Sequence, residues 1–151
     1  MKILLPVDGS ALSLHETRFA LRLVQEGLKA EFVLANVQEP ASLYELMVAH
    51  DPQVIEQVSA AAGLNTLQPA QSLLEAAGIA FETEVATGDP AHTLVDILEN
   101  YGCDMVVMGA SGTSTLRSAL LGSVSNELLH AAGVPVMIVK SSPDTNSDVA
   151  E

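Results

Sequence analysis

Five short strand-like runs separated by stretches of helical periodicity restrict this chain to a small set of folds. The first, Lys2-Ile3-Leu4-Leu5-Pro6-Val7, is apolar without alternation and is ended by Pro6 and Asp8. An unalternating run implies burial on both faces, as in a parallel sheet covered by helices above and below. Residues 31–37 form a second strand, with Pro40 closing the turn beyond it, and Asp104-Met105-Val106-Val107-Met108 forms the fourth. In residues 80–86, Phe81, Thr83 and Val85 alternate with Glu82 and Glu84, which marks a strand with one wetter face at a sheet edge. Val134-Pro135-Val136-Met137-Ile138-Val139 is the fifth, and Pro135, which cannot donate to a ladder, places it at an edge as well.

The helices between them carry their own punctuation. Ser10 is an N-cap for a helix running to about Lys29, with Leu12, Phe19, Ala20, Leu23 and Val24 on one face. Asp51-Pro52 is a cap and first-turn pair for a helix over about 52–62. Gly63 and Asn65 then break the pattern, and a further helix runs over about 66–77, since Pro69 suits a first turn and would kink a continuous helix. Asp89-Pro90 starts a helix bearing Ala91, Leu94, Val95 and Leu98 that stops at Gly102. Residues 126–132 form the last, stopped by Gly133.

Strands alternating with helices give an α/β domain over residues 1–140, a doubly wound five-stranded parallel sheet with helices on both faces. Edge positions for the third and fifth strands fit the order 3-2-1-4-5. The topological switch then falls between the first strand, ending at Asp8, and the fourth, ending at Met108. Residues 141–151 are polar and acidic and read as a disordered tail.

At that switch lies Gly109-Ala110-Ser111-Gly112, and nine residues further Gly122-Ser123-Val124-Ser125. A strand, a glycine-bearing loop and a helix start together form an anion site, because the first helical N–H groups lack backbone acceptors. Glycines can also simply turn a chain. The combination of strand, two glycine clusters, hydroxyls and helix start favours phosphate binding. Gly122 lets the chain approach a ligand closely, and Ser123 can cap the helix or bond a phosphate oxygen.

Gly109-x2-Gly112-x9-Gly122-Ser123 resembles the nucleotide-binding signature of the universal stress protein family. The likeness extends to Pro6-Val7-Asp8-Gly9-Ser10, Gly88-Asp89-Pro90 and Gly133-Val134-Pro135-Val136, and so covers residues 1 to about 140. It implies a small α/β homodimer of the ATP-binding branch; the branch that does not bind ATP lacks the glycines kept here. It further implies an adenine pocket lined by Pro6, Val7 and Val37, the last through its backbone, and a binding set completed by Met108 and Ser111. The N–H groups of Ser123, Val124 and Ser125, with the Ser123 and Ser125 hydroxyls, then hold phosphates, while Gly109 and Gly112 let the loop lie against ribose and phosphates. Asp8 can take a ribose hydroxyl or, through water, Mg²⁺, and it equally suits the start of the first helix beside Ser10. Arg117, the only cation between the glycine clusters, is a phosphate partner or a solvated loop arginine.

Composition closes off other classes. A net charge of −13 opposes polyanion binding, and 3% aromatics without tryptophan leaves no stacking platform for nucleic acid. No apolar run is long enough for a membrane span, and the N-terminus carries no secretory pattern, so a cytoplasmic location is expected. Cys103 stands alone, which excludes a disulfide framework or a cysteine-rich metal site. His15, His50, His92 and His130 are scattered without ligand spacing. A Walker loop, a Rossmann glycine triplet after the first strand and a G-x-S-x-G elbow are absent.

Three functions remain open at this point. The first is an ATP-binding stress or signalling module whose nucleotide state is read by protein partners. The others are a slow ATPase or phosphotransferase and a nucleotide-free structural dimer. In each, the strand at residues 134–139, uncharged until Lys140, is expected to pair with its mate in a homodimer.

Overall fold

The computed structural model describes residues 1–40, 47–48, 51–110 and 122–140. Strands β1 (Lys2–Pro6), β2 (Glu31–Gln38), β3 (Phe81–Thr87), β4 (Met105–Gly109) and β5 (Val136–Val139) alternate with helices α1 (Ala11–Gln25), α2 (Pro52–Ala76), α3 (Pro90–Asn100) and α4 (Ser123–Ala131). Every strand pairing is parallel and the sheet order is β3-β2-β1-β4-β5, the expected doubly wound arrangement.

The apolar strands serve two cores at once. Ile3 and Leu5 join Phe32, Leu34 and Val107 on one face, against Ala20 and Leu21 of α1 and Leu67, Ala70 and Leu74 of α2. Leu4, Val33 and Val106 face the other way, against Leu94, Ile97 and Leu98 of α3 and Leu128 of α4. Ile3, Leu4 and Leu5 are each 0% exposed. A fully buried aliphatic side chain of this size contributes roughly 1.5–3 kcal/mol, so β1 anchors both layers.

Three element boundaries differ from the sequence reading. Helix α1 ends at Gln25 and not near Lys29, because Gly27 adopts φ 116° just beyond it. The N–H of Gly27 donates to the Val24 carbonyl and that of Leu28 to Leu23, a pairing that needs a left-handed residue between. Strand β5 begins at Val136 rather than Val134; the Pro135 carbonyl still accepts from the Val106 N–H at 2.9 Å, but its own nitrogen has no hydrogen to give. Helix α4 begins at Ser123 with Gly122 as N-cap, three residues before the periodic stretch, so Ser123 is inside the helix and makes no side-chain cap.

The largest difference lies in α2, one continuous helix of 25 residues where two were expected. Asp51 caps it through the Gln53 N–H at 3.0 Å, as anticipated. Pro69 does not end it. Pro69 and Asn65, whose carbonyl loses its helical partner to the proline, are both exposed residues, while Leu67, Ala70 and Leu74 hold the helix to the core. Gly63 does not break it either. It is buried against β3, and a Cβ there would collide with Cγ1 of Val85 and approach Asn36 Oδ1 within 3.1 Å.

Helix propensity alone would make Gly63→Ala stabilising by about 1 kcal/mol. The crowding by Val85 predicts the reverse, because forced repacking costs roughly 1–3 kcal/mol. Thermal unfolding should therefore show a lower midpoint for the alanine variant, and a higher one would contradict this account of the helix.

Candidate functional site

Strands β1 and β4 lie side by side, yet β1 leads into α1 on one face of the sheet and β4 leads toward α4 on the other. Their ladder also stops early. Pairing of β1 with β2 continues to Pro6 and Ala35, whereas pairing with β4 covers only Ile3 with Met105 and Leu4 with Val106. A cavity of about 410 Å³ opens at the carboxyl ends of these strands. That is large enough for a small organic ligand.

The cavity gathers Pro6, Val7 and Asp8 from the end of β1, Val37 from β2, Met108 and Gly109 from β4, and Gly122, Ser123, Val124 and Ser125 from the start of α4. These are the residues singled out from the sequence, apart from Ser111 and Gly112, which with Arg117 lie outside the described residues. Sequence reasoning missed Ser13 and Glu16 of α1, Asn36 of β2, Glu39, and Pro90 and Leu94 of α3, all of which line the same space.

Local hydrogen bonds explain how each group is held. Asp8 Oδ1 accepts the Ser10 N–H at 2.9 Å, and Ser10 Oγ accepts the Ser13 N–H at 3.1 Å, so Asp8 and Ser10 together start α1. Among the described residues the second Asp8 carboxylate oxygen accepts no further hydrogen bond. Asn36, buried, donates its Nδ2 hydrogen to the Val7 carbonyl at 2.8 Å and fixes the β1 end against β2. At the start of α4, the amides of Ser123, Val124 and Ser125 have no acceptor within the helix and belong to cavity-lining residues. The Ser125 hydroxyl is already committed: it is buried and donates to the Gly109 carbonyl at 2.8 Å. Of the two serines only Ser123 presents an exposed hydroxyl.

Gly109 also has a structural reason. A Cβ at this position would come within 2.8 Å of Leu12 Cγ, so glycine is needed for α1 to pack over β4. The next residue, Ala110, donates its N–H to Val139 of β5 at 3.0 Å. The Gly109 N–H, directed the opposite way, finds no β1 carbonyl because that ladder has ended. It donates instead to Glu16 Oε1 at 2.8 Å.

Glu16 is the only carboxyl buried among the described residues, at 1% exposure. Burial holds it well above the usual carboxylate range, the Gly109 hydrogen bond pulls back only in part, and the charge of Asp8 pushes upward again. Its setting therefore favours the protonated acid. A signal for it did exist in the sequence: Glu16 falls at helical spacing between Leu12 and Phe19-Ala20, inside the apolar stripe of α1.

An α/β sheet with a crevice at its switch point, an acidic group on one side and a helix N-terminus on the other has the layout of a nucleotide-binding domain. Comparison with known proteins identifies the class. The Universal stress protein family matches residues 1–140, and the chain belongs to that family. Universal stress protein MJ0531 of Methanocaldococcus jannaschii is 30% identical, covering 92% of this chain and 81% of that protein. The solved structure of MJ0577 superimposes with a TM-score of 0.78 at 25% identity, over 93% of this chain and 96% of its own. A universal stress protein family protein from Arabidopsis thaliana, solved with AMP bound, has a TM-score of 0.71 at 22% identity over 100% and 99% of the two chains.

The buried acid predicts a pH signature in stability. A folded-state value raised above the unfolded one near 4.3 means that the folded chain keeps a proton the unfolded chain releases. Stability assigned to Glu16 is therefore full below the unfolded value, falls as pH rises toward the folded one, and stays reduced beyond it. Glu16→Gln, which retains an acceptor for the Gly109 N–H, removes this slope. It should unfold at a higher temperature than the wild type at neutral and alkaline pH, with little difference at about pH 4. Equal shifts at both ends of a pH series of melting curves would contradict the assignment.

Proposed function

We propose that the crevice binds an adenine nucleotide, with ATP as the cellular ligand, and that nucleotide occupancy is what protein partners of this stress protein recognise. One observation carries this: Ser123, Val124 and Ser125, whose amides have no acceptor within α4, line a single cavity at the switch point together with Asp8. In this reading those amides and the Ser123 hydroxyl meet the phosphates, Asp8 takes a ribose hydroxyl, and Pro6, Val7, Val37 and Met108 surround the base. The AMP-bound relative of the same fold supports the ligand class. Mg²⁺ would arrive on the phosphates, since no group of three or more His, Cys, Asp or Glu side chains converges among the described residues.

Nucleotide released on denaturing freshly purified protein, identified by mass, tests the ligand directly. ATP titrated into emptied protein should bind with a dissociation constant on the order of micromolar, roughly −8 kcal/mol. Gly122→Asp adds bulk and negative charge at the start of α4 and should abolish binding in calorimetry while the domain remains folded. Unchanged affinity in a folded variant would refute the site.

The same reading includes a homodimer through β5. Among the described residues that strand pairs only with β4 and stands at the end of the sheet, and Val136, Met137 and Ile138 are half-buried. Such an apolar edge calls for a mate, and a two-fold contact supplies one. Light scattering should return about twice the chain mass of 15.8 kDa, falling toward one chain mass in Met137→Lys or Ile138→Lys. A monomeric mass for the unmodified protein would overturn the dimer.

A further inference from the structure

Glu16 is more than a helix-packing residue, because only one of its oxygens is accounted for. Oε1 accepts the Gly109 N–H at 2.8 Å, while Oε2 is buried without a hydrogen-bond partner among the described residues. The residue lines the cavity. Its position along the crevice is fixed by Gly109, whose carbonyl accepts the Ser125 hydroxyl at 2.8 Å, so the carboxyl lies at the end where α4 begins. That end holds the amides at the start of α4 that have no acceptor within the helix, and is where an anion would sit. A buried polar atom left without a partner calls for an explanation, and a ligand is one.

We propose that Glu16 enters the nucleotide complex as a neutral acid and donates its Oε2 hydrogen to a phosphate oxygen, directly or through one water, so that binding is linked to a proton. The inference rests on the nucleotide site proposed above. A protonated carboxyl has one O–H to give, and donation to a phosphate oxygen is a charge-assisted bond. The ionised form has acceptors only and would set a like charge beside the phosphates. The nucleotide therefore holds the protonated form, and affinity falls as pH rises from the Glu16 value in the free protein to its higher value in the complex.

Other charges facing Glu16 do not supply this behaviour. From β1 the nearby ionisable group is Asp8, whose charge favours the protonated acid, and Lys2 is at the far end of the strand. Strands β4 and β5 carry no titratable side chain. Glu39, beyond β2, lines the cavity as a second acidic group. On α4, Glu127 and His130 are exposed, as are Glu56 and Glu75 of α2. On α1 itself, His15 is half-buried and Arg18 exposed.

The decisive measurement is the ATP dissociation constant of wild type and Glu16→Gln between about pH 5 and about pH 9, above the ordinary carboxylate value. Glutamine keeps the acceptor for Gly109 and offers an N–H at every pH, and ATP's own titration is common to both proteins. Wild-type affinity should fall by up to about tenfold per pH unit relative to the variant over the linked range. Parallel profiles would overturn the proton linkage while leaving the site intact. Failure of either protein to bind ATP at any pH would instead overturn the nucleotide site and this inference with it. Should the variant not fold, infrared spectra of the wild type decide: the band of the neutral carboxyl should persist to higher pH with ATP than without. An unchanged titration of that band would overturn the proposal.

Discussion

Burial of β1 on both faces is the constraint from which the rest of the molecule follows. Ile3, Leu4 and Leu5 have no exposure, so this strand must lie inside the sheet with helices above and below. Parallel neighbours then require crossovers, and right-handed crossovers place α1 and α2 on one face and α3 and α4 on the other. Because β1 sits between β2 and β4, chain direction diverges beside it, and a crevice at its carboxyl end is unavoidable. The β1–β4 ladder stops at Leu4 and Val106, which deepens that crevice and leaves the Gly109 N–H for a side chain to satisfy.

How much of this is legible in the sequence depends on whether a residue's role is set locally or by a distant neighbour. Strand order, both edge strands and the Asp51-Pro52 and Asp89-Pro90 helix starts could be read directly, since alternation and capping are short-range properties. Gly63 and Pro69 look like breakers for the same local reasons, but tertiary contacts decide otherwise: Val85 of β3 demands a glycine, and the buried row from Leu67 to Leu74 carries the helix past the proline. Gly27 is the converse. Nothing in the apolar stripe marks it as a stop, and only its left-handed backbone ends α1.

The site divides along the same line. Gly122, Ser123 and Asp8 could be placed by motif and topology. Gly109 reads as a loop glycine, yet Leu12, nearly a hundred positions earlier in the chain, crowds it. Ser125 reads as a phosphate ligand, yet its hydroxyl is committed to the Gly109 carbonyl. Glu16 falls within the apolar stripe of α1, yet only the end of β4 above the crevice gives its carboxyl a partner, the Gly109 N–H. Each of these three is a long-range packing fact, and each alters the chemistry that the site can perform.

These three residues also bear on how the proposed phosphate site would work in a chain of net charge −13. The overall field opposes phosphate, so attraction must come from short-range, oriented donors. In that proposal the start of α4 would supply them, and its placement depends on the Ser125–Gly109 bond and on the Gly122 N–H, which donates to the Ala110 carbonyl at 2.7 Å. An ionised carboxylate within this arrangement would cancel much of that local field. Burial of Glu16 eases the difficulty by favouring the protonated acid, at the cost of a lower intrinsic stability above the ordinary carboxylate range. The residue that completes the β4 hydrogen bonding is thus also one whose charge state would bear on the electrostatics of the proposed phosphate site.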